Sequence, residues 1–371
     1  MDVSVIVPLY KGRKYIPHII DMVRENQKVL IENGINRDIE IIFVNDCPFE
    51  TINFMEIPYI DDVTIQLHEN AENLGIYRSR LKGLSLGRGT YILFLDQDDE
   101  ISSCYLWRQL NYIGKADAVL CNGIYRRNKH IYKNLEQQRL AVSKDEYISK
   151  GNSIISPGQV LMKRSSIPNR WLNLTLQENG SDDVLLWILM FCEKKTFAVN
   201  PFDDYKHVEE GENTSLDFVS MKESVEEMLS IVRTENLLKD YTDLLLFEKA
   251  ALERIRKYEL YIDVNENWES IITHMEELCR LKRNIAVYGY GVLGKRLLSD
   301  LEDKGVKISF VIDKAAANFT DAHYRIYEPE KIPGQVDLII LTPLFDEKQI
   351  RKDLGEYESK IVSIMDWRNN Q

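Results

Sequence analysis

The segment GRGTYILFLDQDD, residues 87–99, is the most informative part of the sequence about the fold. Residues 91–95 are apolar throughout, which is typical of a strand buried on both faces of a parallel sheet. Three of the next four residues are acidic, Asp96, Asp98 and Asp99. Like charges crowded at a strand end are costly, and a divalent cation held by carboxylate oxygens would relieve them. Capping of a following helix also favours aspartate, so the spacing alone supports both interpretations.

Apolar segments that precede this stretch alternate with helical patterns. Strands are predicted at 3–7, 39–44 and 63–67, and helices at 15–33 and 76–86. Buried strands that alternate with helices predict a parallel sheet covered on both faces. In such sheets ligands bind beyond the carboxyl ends of the strands. The polar residues that follow the strands are therefore the first candidates for a site.

Glycine and proline divide the chain into three predicted domains. Residues 1–215 hold most of these residues in short strand-like and helix-like segments. Residues 216–282 contain neither, which predicts a helical connector. Residues 283–371 return to alternating strand and helix patterns. The predicted fold class is therefore α/β, with two α/β domains joined by helices.

The third segment carries a glycine-rich turn between a predicted strand and a predicted helix. The glycines are Gly289, Gly291 and Gly294, and Asp313 ends the next predicted strand. This spacing predicts a small Rossmann-like domain in which these four residues form a candidate ligand loop. A fold does not define a function, so both ligand binding and a structural or oligomerising role stay open.

Composition and charge exclude several classes of protein. The net charge of −12 argues against a nucleic-acid partner, because phosphate binding favours a positive protein. The longest apolar run, 184–192, is too short to span a bilayer, and no signal-peptide pattern opens the chain. We therefore expect a cytoplasmic protein, and peripheral attachment at the inner face of a membrane stays open.

The order of several motifs gives a more specific expectation. They are VPLY at 7–10, ND at 45–46, NLG at 73–75, Arg80, and GTYILFLDQDD at 89–99. Together they resemble the family 2 glycosyltransferases of the GT-A fold. The resemblance implies a GT-A domain over the first of the three segments. It also implies inverting transfer of a sugar from a nucleoside diphosphate donor.

The resemblance further implies roles for single residues. The residues expected to bind the donor nucleotide are Pro8, Tyr10, Asp46, Arg80 and Asp96. Asp98 is expected to hold Mn²⁺ or Mg²⁺ on the diphosphate, with His207 as a further candidate metal ligand. Asn45 stands where the family usually has an acid, which weakens any inference about the base.

A second acidic pair, Asp182 and Asp183, lies where a helix is predicted to begin. Ser181 is placed to cap that helix, and acids in a first turn suit the helix dipole, so a structural role explains the pair as well. The resembling family has an acidic pair here whose second member is the proposed catalytic base. By this resemblance, Asp183 is the expected base and Asp182 is the alternative.

These observations predict a metal-dependent glycosyltransferase of polysaccharide biosynthesis. The expected donor is a nucleotide sugar, with a UDP-sugar favoured, and the expected acceptor is a hydroxyl of a glycan or lipid-linked glycan. One alternative is an NAD(P)-dependent oxidoreductase whose chemistry lies in the third segment. Another is a non-catalytic sugar-nucleotide-binding protein. A homodimer is a further expectation.

Overall fold

The structure is a computed structural model, and it describes residues 2–53, 63–125, 129–208, 217–319 and 322–370. The chain divides into two compact units, Met1–Arg256 and Lys257–Gln371. The predicted boundary at 215/216 lies outside the described residues. The residues predicted as a helical connector contribute helices to both units. Within the described ranges, no helix is both long enough and apolar enough to cross a membrane.

The first unit is built on a single large sheet. Its described strands are β1 (Val3–Leu9), β2 (Ile39–Asn45), β3 (Val63–Glu69), β4 (Tyr91–Phe94), β5 (Glu100–Ile101), β6 (Ala118–Tyr125), β7 (Lys129–His130), β8 (Val160–Lys163) and β9 (Phe197–Lys206). Their order is β3-β2-β1-β4-β8-β6-β9-β5, with β7 paired to β6. The strands predicted near the N-terminus are confirmed.

The direction of the strands differs from the prediction in one part of this sheet. β3, β2, β1 and β4 are parallel, as expected. β8, however, pairs antiparallel with both β4 and β6, so the sheet is mixed. An apolar strand buried on both faces has the same sequence pattern in either direction, which is why the pattern did not indicate this reversal.

Helices cover both faces of the first sheet. They are α1 (Ile16–Glu32), α2 (Ile76–Leu86), α3 (Tyr105–Ile113), α4 (Leu135–Ala141), α5 (Lys144–Lys150), α6 (Asp182–Cys192) and α7 (Phe218–Thr234); α8 (Tyr241–Glu266) contains the boundary between the units. α1 and α3 pack in one core with Val5 and Phe43. α2 lies on the opposite face, where Gly83 approaches Ile6 closely. β1 and β2 are consequently buried at every position.

The second unit contains a smaller sheet in which every described pair of strands is parallel. Its elements are α9 (Trp268–Cys279), β10 (Ile285–Tyr288), α10 (Val292–Asp303), β11 (Phe310–Ile312), β12 (Ile326–Tyr327), β13 (Leu338–Leu341), α11 (Glu347–Asp353) and β14 (Ile361–Ser363). The order is β12-β11-β10-β13-β14. The first strand of this unit, β10, is therefore central, as the first strand is in doubly wound α/β sheets.

Candidate active site

The residues that follow β1, β2 and β4 lie at one edge of the first sheet because these strands are parallel. Pro8 is inside the sheet, and Tyr10 follows β1 with a half-exposed side chain. The Tyr10 N–H donates to Gln97 Oε1 at 2.9 Å, and its carbonyl accepts from Gln97 Nε2 at 3.1 Å. The residue between Asp96 and Asp98 therefore ties the end of β1 to the acidic loop after β4.

Asp46 shapes the loop that leads into α2. Its buried carboxylate accepts from the Asn70 side chain at 2.7 Å and from the N–H groups of Leu74 and Gly75, both at 2.8 Å. Several donors on one carboxylate offset the cost of burying its charge. The geometry gives Asp46 this structural role, and its contact with a nucleotide stays a prediction.

Arg80 on α2 joins two acidic motifs that are far apart in the sequence. Its Nη2 lies 2.5 Å from Asp96 Oδ1, and its Nη1 lies 2.7 Å from Asp182 Oδ2. The residue is only 3% exposed. Burial lowers the pKa of the guanidinium, but the charges of Asp182 and Asp96 outweigh burial and raise that pKa above its usual value. We call these three residues the Arg80 triad.

Asp182 and Asp183 both begin α6, yet their environments differ. Asp182 is bound to Arg80, whereas Asp183 Oδ1 accepts the N–H of Val184 at 2.7 Å. Burial, followed by the negative charge of Asp182, raises the pKa of Asp183 to about 7. A carboxylate with such a pKa suits proton transfer near neutral pH. The assignment of Asp183, or alternatively Asp182, as the general base stays a prediction.

Ser181 precedes α6, where the sequence predicts a capping side chain. That prediction is wrong, because the hydroxyl makes no capping hydrogen bond. It accepts instead from the Ser224 hydroxyl of α7 at 2.7 Å. Trp171 fixes the same turn from another side, since its indole N–H donates to the Asp182 carbonyl at 2.8 Å. Tertiary partners therefore hold the start of α6.

Asp99 is a buried acid that positions His207. Its Oδ1 lies 3.0 Å from His207 Nδ1, and its Oδ2 accepts from the Ser156 hydroxyl at 3.2 Å and from the Tyr205 hydroxyl. Burial lowers the pKa of His207, but the hydrogen bond with Asp99 and its charge raise that pKa above the usual value. Sequence reasoning missed the roles of Asp99 and Tyr205. The spacing of Tyr205, which lies in β9 two residues before His207, is a signal that could have indicated its role, since residues two apart in an extended chain point the same way.

Asp98 and His207 form the candidate metal site. Burial and then the charges of Asp99 and Asp96 raise the pKa of Asp98 to about 6, and a cation would relieve this crowding. Among the residues that the structure describes, no group of three or more His, Cys, Asp or Glu could hold a metal ion. Mg²⁺ is commonly held by one or two carboxylates together with substrate phosphates. The donors present fit that kind of site.

The glycine turn of the second unit shows a different requirement at each glycine. Gly289 has φ +97°, which favours glycine. A Cβ on Gly294 would lie 1.9 Å from the Gly289 carbonyl oxygen, so close packing of α10 requires glycine there. A Cβ on Gly291 would meet nothing within 4 Å. The fold therefore explains two of the three glycines.

Asp313 stabilises this turn through both of its carboxylate oxygens. Oδ2 accepts the N–H of Tyr290 at 2.8 Å, and Oδ1 accepts the N–H of Ala315 at 2.7 Å. The side chain therefore links the end of β11 to the glycine turn. Binding of a ligand by this loop stays a prediction.

Part of the first unit matches a protein family model. Residues 4–171 match the family model described as glycosyl transferase family 2. The part of the chain that matches this model contains Arg80, Asp96 and Asp98. A solved structure of S. aureus TarS aligns with 72% of this chain and 74% of its own, at a TM-score of 0.50 and 15% identity. The predicted GT-A fold is thereby confirmed.

Curated relatives are similar to part of this chain. The uncharacterized glycosyltransferase EpsJ of Bacillus subtilis is 33% identical over 145 residues, which are 37% of this chain and 39% of EpsJ. The poly(ribitol-phosphate) beta-glucosyltransferase of Bacillus spizizenii is 24% identical over 255 residues, which are 64% of this chain and 38% of that protein. The chain thus spans less than half the length of each.

Proposed function

We propose that this protein is an inverting, metal-dependent glycosyltransferase that moves a sugar from a nucleoside diphosphate donor to an acceptor hydroxyl. The observation that carries the proposal is the Arg80 triad. Through Arg80, the triad links Asp96, the first acid of the loop after β4, to Asp182, which is the chain neighbour of Asp183, the acid with the raised pKa. The family match over 4–171 supports a nucleotide-sugar donor. A UDP-sugar is the favoured donor.

The proposed mechanism assigns different tasks to the acids of the site. Asp183 accepts the proton of the acceptor hydroxyl as that oxygen attacks the sugar on the face opposite the leaving group. Arg80 binds Asp182 and keeps that carboxylate from competing for the proton. Asp98 and His207 would hold Mn²⁺ or Mg²⁺ together with the diphosphate of the donor. The cation, when bound, supplies positive charge to the leaving diphosphate.

The proposed acceptor is a surface glycan, a lipid-linked glycan or a related polymer. The Bacillus spizizenii relative is named as a glucosyltransferase of poly(ribitol-phosphate), which supports a polymeric acceptor here. Peripheral attachment to a membrane and formation of a homodimer are further proposals.

Thermal-shift measurements with UDP, GDP, dTDP and CDP, each with and without Mn²⁺, test the proposal. A ligand that binds only the folded state raises its apparent stability. We expect one nucleoside diphosphate to raise the melting temperature of the first unit in a Mn²⁺-dependent way. Asp98→Ala should abolish this shift, whereas Asp21→Ala, a change on the exposed face of α1, should preserve it.

The same experiment includes NAD⁺ and NADP⁺ to test the oxidoreductase alternative. A shift with a dinucleotide alone, unchanged in Asp98→Ala, would overturn the proposal. Binding without turnover is examined by measuring release of the nucleoside diphosphate from the matching nucleotide sugar. Metal-dependent binding with no release from the sugars tested and no transfer to glycan acceptors would favour the non-catalytic alternative.

A further inference from the structure

Helix α7 begins well beyond the residues that match the family model, yet it contacts the loop that leads to Asp183. We call residues 177–181 the base loop. The two oxygens of Glu227 on α7 accept the N–H groups of Gln177 at 2.9 Å and Glu178 at 3.0 Å. One carboxylate thus binds two successive backbone donors at the start of the base loop. Bonds of this kind, with a charged acceptor, are among the stronger hydrogen bonds in proteins.

A second contact with α7 lies at the other end of the base loop. The Ser224 hydroxyl donates to the Ser181 hydroxyl at 2.7 Å, and both residues are buried. Gly180, between these contacts, has φ +114°, and a Cβ there would lie 3.0 Å from the sulfur of Met221. The backbone of the base loop therefore runs directly against the α7 surface, where only glycine fits without strain.

The base loop also contacts α2, the helix that carries Arg80. The Asn179 Oδ1 accepts the N–H of Ile76 in the first turn of α2, at 2.9 Å. α2 also carries Arg80, which binds Asp182 directly after the base loop. The base loop is therefore in contact with both α2 and α7.

The contact of Glu227 with the base loop brings negative charges together. Burial and then the charges of Glu223 and Glu227 raise the pKa of Glu178 above its usual value. Despite this crowding, both oxygens of Glu227 accept backbone N–H groups of the base loop.

We propose that Glu227 and Ser224 are positioning residues that fix the base loop and thereby the place of Asp183 relative to the acceptor hydroxyl. This inference rests on the proposed transferase function. Neither side chain touches the reacting groups; each acts through the backbone or hydroxyl of the base loop. A displacement of a catalytic group by about 1 Å can lower a rate by about 100-fold. Loss of these contacts should therefore lower kcat by a larger factor than it lowers the affinity for the donor.

The test compares Glu227→Ala, Glu227→Gln and Ser224→Ala with the control Glu226→Gln. Glu226 is the exposed neighbour on α7 and pairs with Lys222. Steady-state release of UDP from UDP-glucose and UDP-N-acetylglucosamine with Mn²⁺ gives kcat and KM. We expect kcat to fall about 10-fold in Glu227→Ala. Glutamine has one accepting oxygen, so Glu227→Gln should lie between alanine and wild type. Donor KM should change less than twofold, and Glu226→Gln should match wild type.

Amide hydrogen exchange in the full chain supplies a readout that needs no turnover. Exchange at residues 177 and 178 should rise in Glu227→Ala and stay unchanged in Glu226→Gln. If exchange there is equal in Glu227→Ala and wild type, the inference is overturned whether or not transfer occurs. An unchanged kcat, or an equal loss in kcat and in donor affinity, also overturns it. A wild type without turnover on any nucleotide sugar contradicts the proposed function instead. Ser224→Ala and Glu227→Gln keep the test available if Glu227→Ala does not fold.

Discussion

At the scale of single residues, Arg80 decides how much negative charge the site can bury. Its two carboxylate partners lie at 2.5 and 2.7 Å, and Asp182 is as buried as the arginine. Arg80→Met would leave those carboxylates without their cation. Removal of one partner from a buried ion pair typically costs about 3–5 kcal/mol. We expect a loss of that size in the free energy of unfolding of the first unit, measured by urea denaturation.

The exposed Arg78 on the same helix is the matched control for Arg80. Arg78→Met should change the free energy of unfolding by less than about 0.5 kcal/mol. Arg80→Lys retains the charge without the planar fork that reaches two carboxylates, so it should fall between Arg80→Met and wild type. Equal stability of Arg80→Met and wild type would contradict the assignment of a buried triad.

Asp183 should govern the pH dependence of transfer. With a pKa raised to about 7, it is protonated and inactive as a base below neutral pH. We expect kcat/KM for transfer to fall as the pH drops below about 7, as a rate profile would show. Asp183→Asn should lower kcat about 10²–10⁴-fold and leave binding of the nucleoside diphosphate intact. A full loss of activity in Asp182→Asn, with activity retained in Asp183→Asn, would assign the base to Asp182.

The same raised pKa has a consequence for stability. The carboxyl group of Asp183 binds its proton more tightly in the folded protein, at about 7, than in the unfolded chain, near 3.8. The folded state therefore carries more protons between these values, so this group makes the free energy of unfolding decrease as the pH rises from about 4 to about 7. In Asp183→Asn this contribution should be absent. Urea denaturation at several pH values measures the free energy of unfolding of both proteins. An identical dependence of this free energy on pH in the variant and in wild type would contradict the raised pKa.

The sequence predicted the members of the acidic pair but not what distinguishes them. The resemblance alone favoured Asp183, since both residues occur at the start of one helix. The distinction comes from Arg80, which lies 102 positions away from Asp182 in the chain. No local pattern records which of two adjacent carboxylates a distant arginine contacts. The same holds for Ser181, whose hydroxyl binds a serine 43 positions away and does not cap its own helix.

At the scale of elements, local patterns were reliable where a helix or strand has clear ends. α2 has the predicted bounds, Ile76–Leu86, because Gly75 and Gly87 flank it. The direction of β8 did not follow from its sequence, because buried apolar strands have the same pattern in parallel and antiparallel pairs. Strand direction is set by the connections and by the tertiary fold.

The glycine turn before α10 offers a matched pair of substitutions. Gly294→Ala places a Cβ against the Gly289 carbonyl oxygen and should lower the free energy of unfolding of the second unit by about 1–3 kcal/mol. Gly291→Ala introduces a Cβ that meets nothing, at a backbone φ of −80°, and should change it by less than about 0.5 kcal/mol. Thermal unfolding measures both, and equal effects would contradict this division of roles.

At the scale of the whole molecule, the candidate site extends beyond the residues that match the family model. Arg80, Asp96 and Asp98 lie within 4–171, whereas Asp183 and His207 follow that range. All five nevertheless belong to the first compact unit. The five residues proposed for the transferase site therefore all belong to one compact unit.

This separation predicts how ligands and substitutions act in the full chain. UDP with Mn²⁺ should raise the melting temperature of the first unit in scanning calorimetry, because only the folded site binds the nucleotide. Gly294→Ala should lower the transition of the second unit and leave the nucleotide-induced shift of the first unit unchanged, since its clash lies within residues 289–294. Arg80→Met should instead lower the melting temperature of the first unit and leave that of the second unit unchanged. Loss of the UDP-induced shift in Gly294→Ala would show that donor binding depends on the second unit as well, and that the site is not confined to the first.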